Sequence, residues 1–198
     1  RRSSQRIERS FMTQLDFHAV VTQALKLYRD GRTLELAATP LAATALVAAE
    51  FLAGDTITPV ARGRATQAVL RWAIAELRPQ GAAPALHHQT DPQLLTPAWR
   101  FYKILQHFYI DHWTIERIAE ELGFAPTSIF NLRTKALAAL ADLLQSALAT
   151  PALVATRQQA TIAHRYQQVQ PAEQTLLRIV AFWGVPLPIR MLRELTPV

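Results

Sequence analysis

The chain has 198 residues, half of them hydrophobic, and a formal charge of +6 with an isoelectric point near 10.3. That length supports one or two domains with a proper core, and the basic balance agrees with a polyanionic partner without demanding one. The absence of cysteine excludes disulfides, thiolate metal sites and cysteine nucleophiles. No apolar run approaches the roughly 18 residues of a membrane span and no secretory leader is evident, so a cytoplasmic protein without a membrane partner is expected.

Residues 1–12, opening RRSSQRIERS, are polar and basic without apolar period and are expected to form a disordered tail. An N-terminal helical unit over 13–79 follows. Thr13 with Asp16 suggests a cap, and Leu15, Ala19, Val20, Val21, Ala24, Leu25 and Leu27 carry the apolar side of a helix reaching Arg29, which Asp30-Gly31 stops. A second helix is predicted from Pro40, capped by Thr39, through LAATALVAAEFLA to Ala53; Glu50 is its only charge, so it should be buried nearly all round. Thr58-Pro59 opens a third helix to about Leu77, with Val60, Val69, Leu70, Ala73, Ile74 and Leu77 inward and Trp72 on the flank. Arg62, Arg64, Arg71 and Arg78 make this the most cationic stretch of expected helix.

The Pro- and Gly-bearing stretch 80–96 reads as a linker. Adjacent His87 and His88 with Asp91 on such a loop, lacking a further converging ligand, are weak grounds for a metal, and no cofactor is expected. Thr96-Pro97 then opens a helix that is apolar over most of its circumference. Phe101, Ile104, Leu105 and Phe108 form one side and Trp99, Tyr102 and Tyr109 a shoulder, leaving Arg100, Lys103, Gln106 and His107 as a polar strip. Such a helix needs neighbours on two sides, so it should join the N-terminal helices and the next unit into one body.

That next unit, ending near 149, has the pattern of a helix-turn-helix. Thr114 suits an N-cap, and Ile115, Ile118, Ala119 and Leu122 share one helical face. Gly123 can take a left-handed backbone, the turn is short, and Pro126 suits the first position of a second helix over about 126–145. Ile129, Leu132, Ala136, Leu140 and Leu143 form the inward stripe of that helix. Thr127, Asn131, Thr134 and Ala138 point away, flanked by Phe130 on one side and Ser128, Lys135 and Asp142 on the other. Asn pairs two-pronged with adenine, Thr and Phe touch thymine methyls, and Lys and Arg hold phosphates. Taken alone the face also suits an ordinary solvated surface; with the helix–glycine-turn–helix spacing before it, base contacts are expected from Thr127, Ser128, Phe130, Asn131 and Thr134, and phosphate contacts from Arg117, Arg133 and Lys135.

The segment TPAWRFYKILQHFYIDHWTIERIAEELGFAPTSIFNLRTKALAAL resembles the promoter-reading C-terminal domain of bacterial sigma factors and, more broadly, the sigma-like and LuxR-like helix-turn-helix regulators. The resemblance rests on Ile118, Ala119, Leu122, Gly123, Ile129 and Ala136-Leu137 after Lys135, and covers about a quarter of the chain. It implies that Pro126, Thr127, Ser128, Phe130, Asn131 and Thr134 read bases in double-stranded DNA, with RNA polymerase or other domains of a longer chain as further partners. The segment before Thr96 shows no aromatic-and-basic helix of the sort that holds melted promoter DNA, so a complete sigma factor is not expected.

Residues 150–198 should form a C-terminal helical segment. Thr150-Pro151 breaks the preceding helix, a glutamine-rich helix from Leu153 to Val169 should be half exposed, and a further helix from Pro171 has Leu176, Leu177, Ile179, Val180 and Phe182 inward. This tail resembles the opening of the small winged-helix units of signal-transduction ATPases, and the pattern suggests the front of a longer protein. The expected fold is thus all-α: an N-terminal helical bundle docked on a helix-turn-helix unit, with a C-terminal helical segment at the start of a winged helix. The expected function is that of a sequence-specific DNA-binding module of a bacterial transcription regulator. The alternative is a protein-interaction, regulatory front end of a larger ATPase, with the helix-turn-helix as a docking scaffold; Glu116, Glu120 and Glu121 on the first helix favour it. Without a phosphate-cradling glycine loop, a zinc-protease helix or a nucleophile elbow, an enzyme is not expected.

Overall fold

The computed structural model describes residues 14–52, 55–80 and 96–168, and every regular element among them is helical. The basic tail, most of the linker with His87, His88 and Asp91, the end of the predicted second helix at Ala53 and the proposed winged-helix opening lie outside the described residues.

Helix α1 spans Gln14–Arg29 and buries Phe17, Val21, Ala24, Leu25 and Leu27. Phe17 joins the expected stripe, whereas Ala19 faces outward. Gly31 ends the helix with φ 69°, letting the Arg32 N–H donate to the Leu27 carbonyl at 2.9 Å.

The single helix expected over 40–53 does not form. Three short pieces take its place and begin earlier: α2 (Thr33–Ala37), a 3₁₀ turn (Pro40–Ala43) and α3 (Ala45–Ala48). The threonines explain the breaks. Thr39 and Thr44 are extended (ψ 153° and 160°), and each hydroxyl donates to the carbonyl three residues back, Leu36 and Leu41, at 2.7 Å. Burial survives the fragmentation, because Leu36, Leu41, Leu46 and Val47 all enter the core.

Helix α4 (Pro59–Glu76) starts as its sequence indicates, with the Thr58 hydroxyl accepting the Ala61 N–H at 3.1 Å. Val69, Leu70, Ala73 and Ile74 are buried, but Val60 is not. The first turn of α4 stands clear of the core, leaving Pro59, Val60 and Arg62 all exposed. One turn further on, α2 crosses α4 so closely that a Cβ on Gly63 would lie 2.2 Å from the Thr33 carbonyl oxygen.

The second half consists of α5 (Pro97–Leu105), a π-helical turn (Gln106–Ile110), α6 (Ile115–Leu122), α7 (Pro126–Ala149) and α8 (Pro151–Gln168). One continuous apolar core takes side chains from α1, α4, α5, the π turn, α6 and α7. Helix α7 packs on α1, α5 and α6, while α5 also contacts α4 and the π turn contacts α1 and α6. Helix α8 leaves α7 at 92° and has no fully buried side chain among those described. Ion pairs tie it back: Arg157 to Glu50 at 2.6 Å and Arg165 to Asp55 at 2.9 Å, with the Arg157 guanidinium 4.7 Å from the Trp72 ring centre. No single helix among the described residues is long and apolar enough to cross a membrane.

Candidate nucleic-acid interface

The surface centred on the start of α7 is built from its turn upward. The Thr114 hydroxyl accepts the Arg117 N–H at 3.3 Å and starts α6. Gly123 takes φ 68° and ψ 31°, where a side chain would strain the backbone. The Phe124 N–H then reaches back to the Ala119 carbonyl at 2.9 Å and the Gly123 N–H to Glu120 at 3.3 Å, the paired bonds that close a helix at a left-handed residue. Ala125 is extended and α7 begins at Pro126, so the turn occupies three residues. Ile118 and Ile129 are fully buried, and the small Ala119 is buried in the same core cluster. Truncating Ile118 or Ile129 to alanine would cost about 2–5 kcal/mol, since the cavity cannot collapse against a short turn.

With α7 so placed, Thr127, Asn131, Thr134 and Lys135 are exposed, Phe130 is 47% exposed and Ser128 is half-buried. The Thr134 hydroxyl donates to the Phe130 carbonyl at 3.1 Å, which leaves its oxygen available as an acceptor. These residues share one open face. Leu132 and Leu143, expected inside, lie half-buried at the edge of the core, and Leu137, Ala141, Leu144 and Ala147 complete the buried stripe.

Of the three expected phosphate-holding cations, Lys135 and Arg117 are exposed. The Arg117 guanidinium lies 4.0 Å from the Trp113 ring centre. Arg133 is half-buried, with its guanidinium 4.7 Å from the Phe108 ring and 5.2 Å from the Phe130 ring, and its Nε is buried without an acceptor. A second arginine shares Phe108: Arg29, at the end of α1, lies 3.6 Å from that ring and donates to the Trp113 carbonyl at 3.3 Å. Sequence reasoning missed Arg29; its only signal was a basic residue in a last helical turn.

The π turn accounts for this aromatic platform. The Asp111 N–H donates to Gln106 five residues back at 3.0 Å, and the Trp113 N–H donates to His107 at 2.9 Å. His112 follows with φ 57°. The extra residue rotates the chain, so His107 leaves the polar strip expected of it and is only 6% exposed, together with buried Phe108 and Tyr109. Its ring stacks on Trp113 at 4.1 Å, nearly parallel, and Nδ1 lies 2.7 Å from Asp111 Oδ2. Burial pushes the imidazole below its usual range, the Asp111 hydrogen bond opposes this, and Nε2 has no partner.

A separate cleft of about 480 Å³ lies between α4 and α8, lined by Glu50, Arg64, Arg157, His164 and Arg165 over a floor of alanines. Two of its arginines are already neutralised by Glu50 and Asp55. No group of three or more His, Asp or Glu among the described residues could hold a metal ion. Comparisons with protein-family models, curated proteins and solved structures find no match.

Proposed function

We propose that this chain is a sequence-reading DNA-binding module of a bacterial transcription regulator acting in the cytoplasm, with α7 entering the major groove. The observation that carries this reading is the exposed face of Thr127, Phe130, Asn131 and Thr134 at the front of α7, presented by a tight glycine turn and covered by no other described element. The resemblance of 96–140 to the promoter-reading domain of sigma factors and to LuxR-like regulators supports it. Asn131 offers the bidentate amide for adenine, Thr127, Ser128 and Thr134 supply adaptable hydroxyls, and Phe130 supplies an apolar contact for a thymine methyl. Arg117, Arg133 and Lys135 supply phosphate contacts, which give affinity without sequence information.

Selection from random duplex DNA should yield a preferred site. On that site Asn131→Ala is expected to cost roughly 1–3 kcal/mol at one base position only. Binding that survives this substitution unchanged on every sequence refutes the reading.

A second reading has its own observation. Leu34, Ile57 and Val60 are large apolar side chains 61%, 48% and 42% exposed on the N-terminal half, and Glu116 and Glu120 are exposed on α6. These features suit a protein-docking role, with RNA polymerase or further domains of a longer, ATPase-containing chain as partner. Salt separates the two: DNA binding weakens steeply as salt rises, whereas an apolar docking surface responds little.

A further inference from the structure

We propose that Arg29 and Arg133 form a two-pronged phosphate clamp mounted on Phe108, through which the N-terminal helix takes part in gripping the DNA backbone. The inference rests on the DNA-binding reading above and adds to it a residue from the other half of the chain. Both guanidiniums lie over one aromatic ring, 3.6 and 4.7 Å from its centre. Their central carbons are therefore no more than about 8 Å apart, and a phosphate bridged by two guanidiniums sits roughly 4 Å from each. That upper limit leaves one phosphate within reach of both guanidiniums where the two approach the ring from the same side.

Charge supports the same assignment. No described carboxylate is ion-paired with either arginine, whereas Arg32, Arg157 and Arg165 each have an acidic partner. Two half-buried like charges at one ring are tolerable because its π faces attract cations, but the arrangement stays short of negative charge until an anion arrives. Donors remain for it: among the described hydrogen bonds Arg29 commits one terminal nitrogen, to the Trp113 carbonyl, and the terminal nitrogens of Arg133 take part in none, whereas Arg133 Nε is itself buried. The location also fits. Arg133 follows Asn131 by two residues on α7 and lies over Phe130 as well, so an anion held there flanks the base-reading face.

The test is a fluorescence-anisotropy titration of labelled duplex carrying the selected site, repeated over a salt series. Arg29→Gln should weaken binding to every duplex by a similar factor and make the log–log salt slope shallower by up to about 0.9, since Arg133 alone neutralises the shared phosphate less fully. Arg29→Lys should keep the slope, while Asn131→Ala should change base preference and leave the slope alone. Wild-type affinity and slope in Arg29→Gln, with Asn131→Ala still relaxing sequence preference, overturn the clamp and leave the DNA-binding reading standing. Failure of the wild-type protein to bind any duplex at low salt overturns both. If inorganic phosphate at fixed ionic strength raises the melting temperature of the wild type but not of Arg29→Gln, and the duplex slope is unchanged by the substitution, the pair serves a free anion and the DNA assignment falls. Because Arg29 also braces Phe108 and Trp113, thermal melts must show that Arg29→Gln is folded; if it is not, Arg29→Met, which keeps an unbranched stem against the ring, carries the same slope prediction.

Discussion

Replacing Gly63 with alanine would put a methyl carbon 2.2 Å from the Thr33 carbonyl oxygen, 2.6 Å from Thr33 Cγ2 and 3.0 Å from the Thr33 carbonyl carbon. Two of these atoms are backbone, so no rotamer change relieves the clash and α2 must lift away from α4. On an open helical surface the same substitution would stabilise by about 1 kcal/mol, because alanine is the better helix former. Here overpacking costs typically 1–3 kcal/mol, and lifting α2 also loosens the fully buried Leu36 and the 3.1 Å bond from Gln67 to Thr33. A net loss of about 2 kcal/mol is expected, a fall of roughly 4–8 °C in Tm for a domain of this size. Gly123→Ala is the control of opposite kind. Nothing lies within 4 Å of its added carbon, so only the left-handed backbone opposes it, at about 1–2 kcal/mol. Urea unfolding followed by circular dichroism measures both. A Gly63→Ala protein as stable as the parent would refute the close crossing of α2 and α4.

The other expectations concern buried charge. His107 is harder to protonate in the folded chain than in the unfolded one, where its value is near 6.5. The stability it contributes is therefore complete above that value and is lost as pH falls through the lower folded value. Melting temperature should hold from about pH 8 to 7 and then decline, and His107→Phe, which keeps the stack on Trp113, should remove the part of the decline that sets in below about pH 7; an unchanged profile would show that His107 is not the group responsible. Glu50→Gln leaves the Arg157 guanidinium, 12% exposed, without its counterion, a loss of about 3 kcal/mol if the pair must stay buried. Since α8 has no fully buried side chain among those described, it should detach instead. Hydrogen exchange should then show α8 amides losing protection while the core unfolds within about 1 kcal/mol of the parent; a uniform loss across all helices would refute a separately docked α8.

Helices that start on a threonine-proline pair and end on a glycine were legible because capping chemistry is local. Thr58-Pro59 for α4, Thr96-Pro97 for α5 and Gly123 between α6 and α7 each sit where their backbone requirements place them. The open face of α7 was legible for a similar reason, since Ile129, Ala136 and Leu140 mark its inward side by spacing alone. Failures occurred where a side chain or a third element intervened. Thr39 and Thr44 divert backbone carbonyls and split a stretch whose apolar composition reads as one helix. The π turn shifts register by one residue, which no fixed 3.6-residue period can anticipate, so His107 was assigned to the wrong side. Arg29 is separated from Trp113 by 84 residues, and only the packing of α1 on α7 and the π turn brings it to Phe108.

The same turn bears on how so few cations could hold a polyanion. Apart from Lys135, every cation assigned to phosphate rests on an aromatic ring at or beside it: Arg117 on Trp113, and Arg29 and Arg133 on Phe108. A solvated arginine gives up most of its rotamer freedom when it grips an anion, about 0.5–1.5 kcal/mol for each side chain immobilised. A guanidinium already laid on a ring has surrendered part of that freedom on folding. On the DNA-binding reading, the sparse charge of α7 is then offset by placement. Because Phe108 also lies in the shared core, the same reading makes the grip on the DNA backbone depend on the contact that helps orient α1.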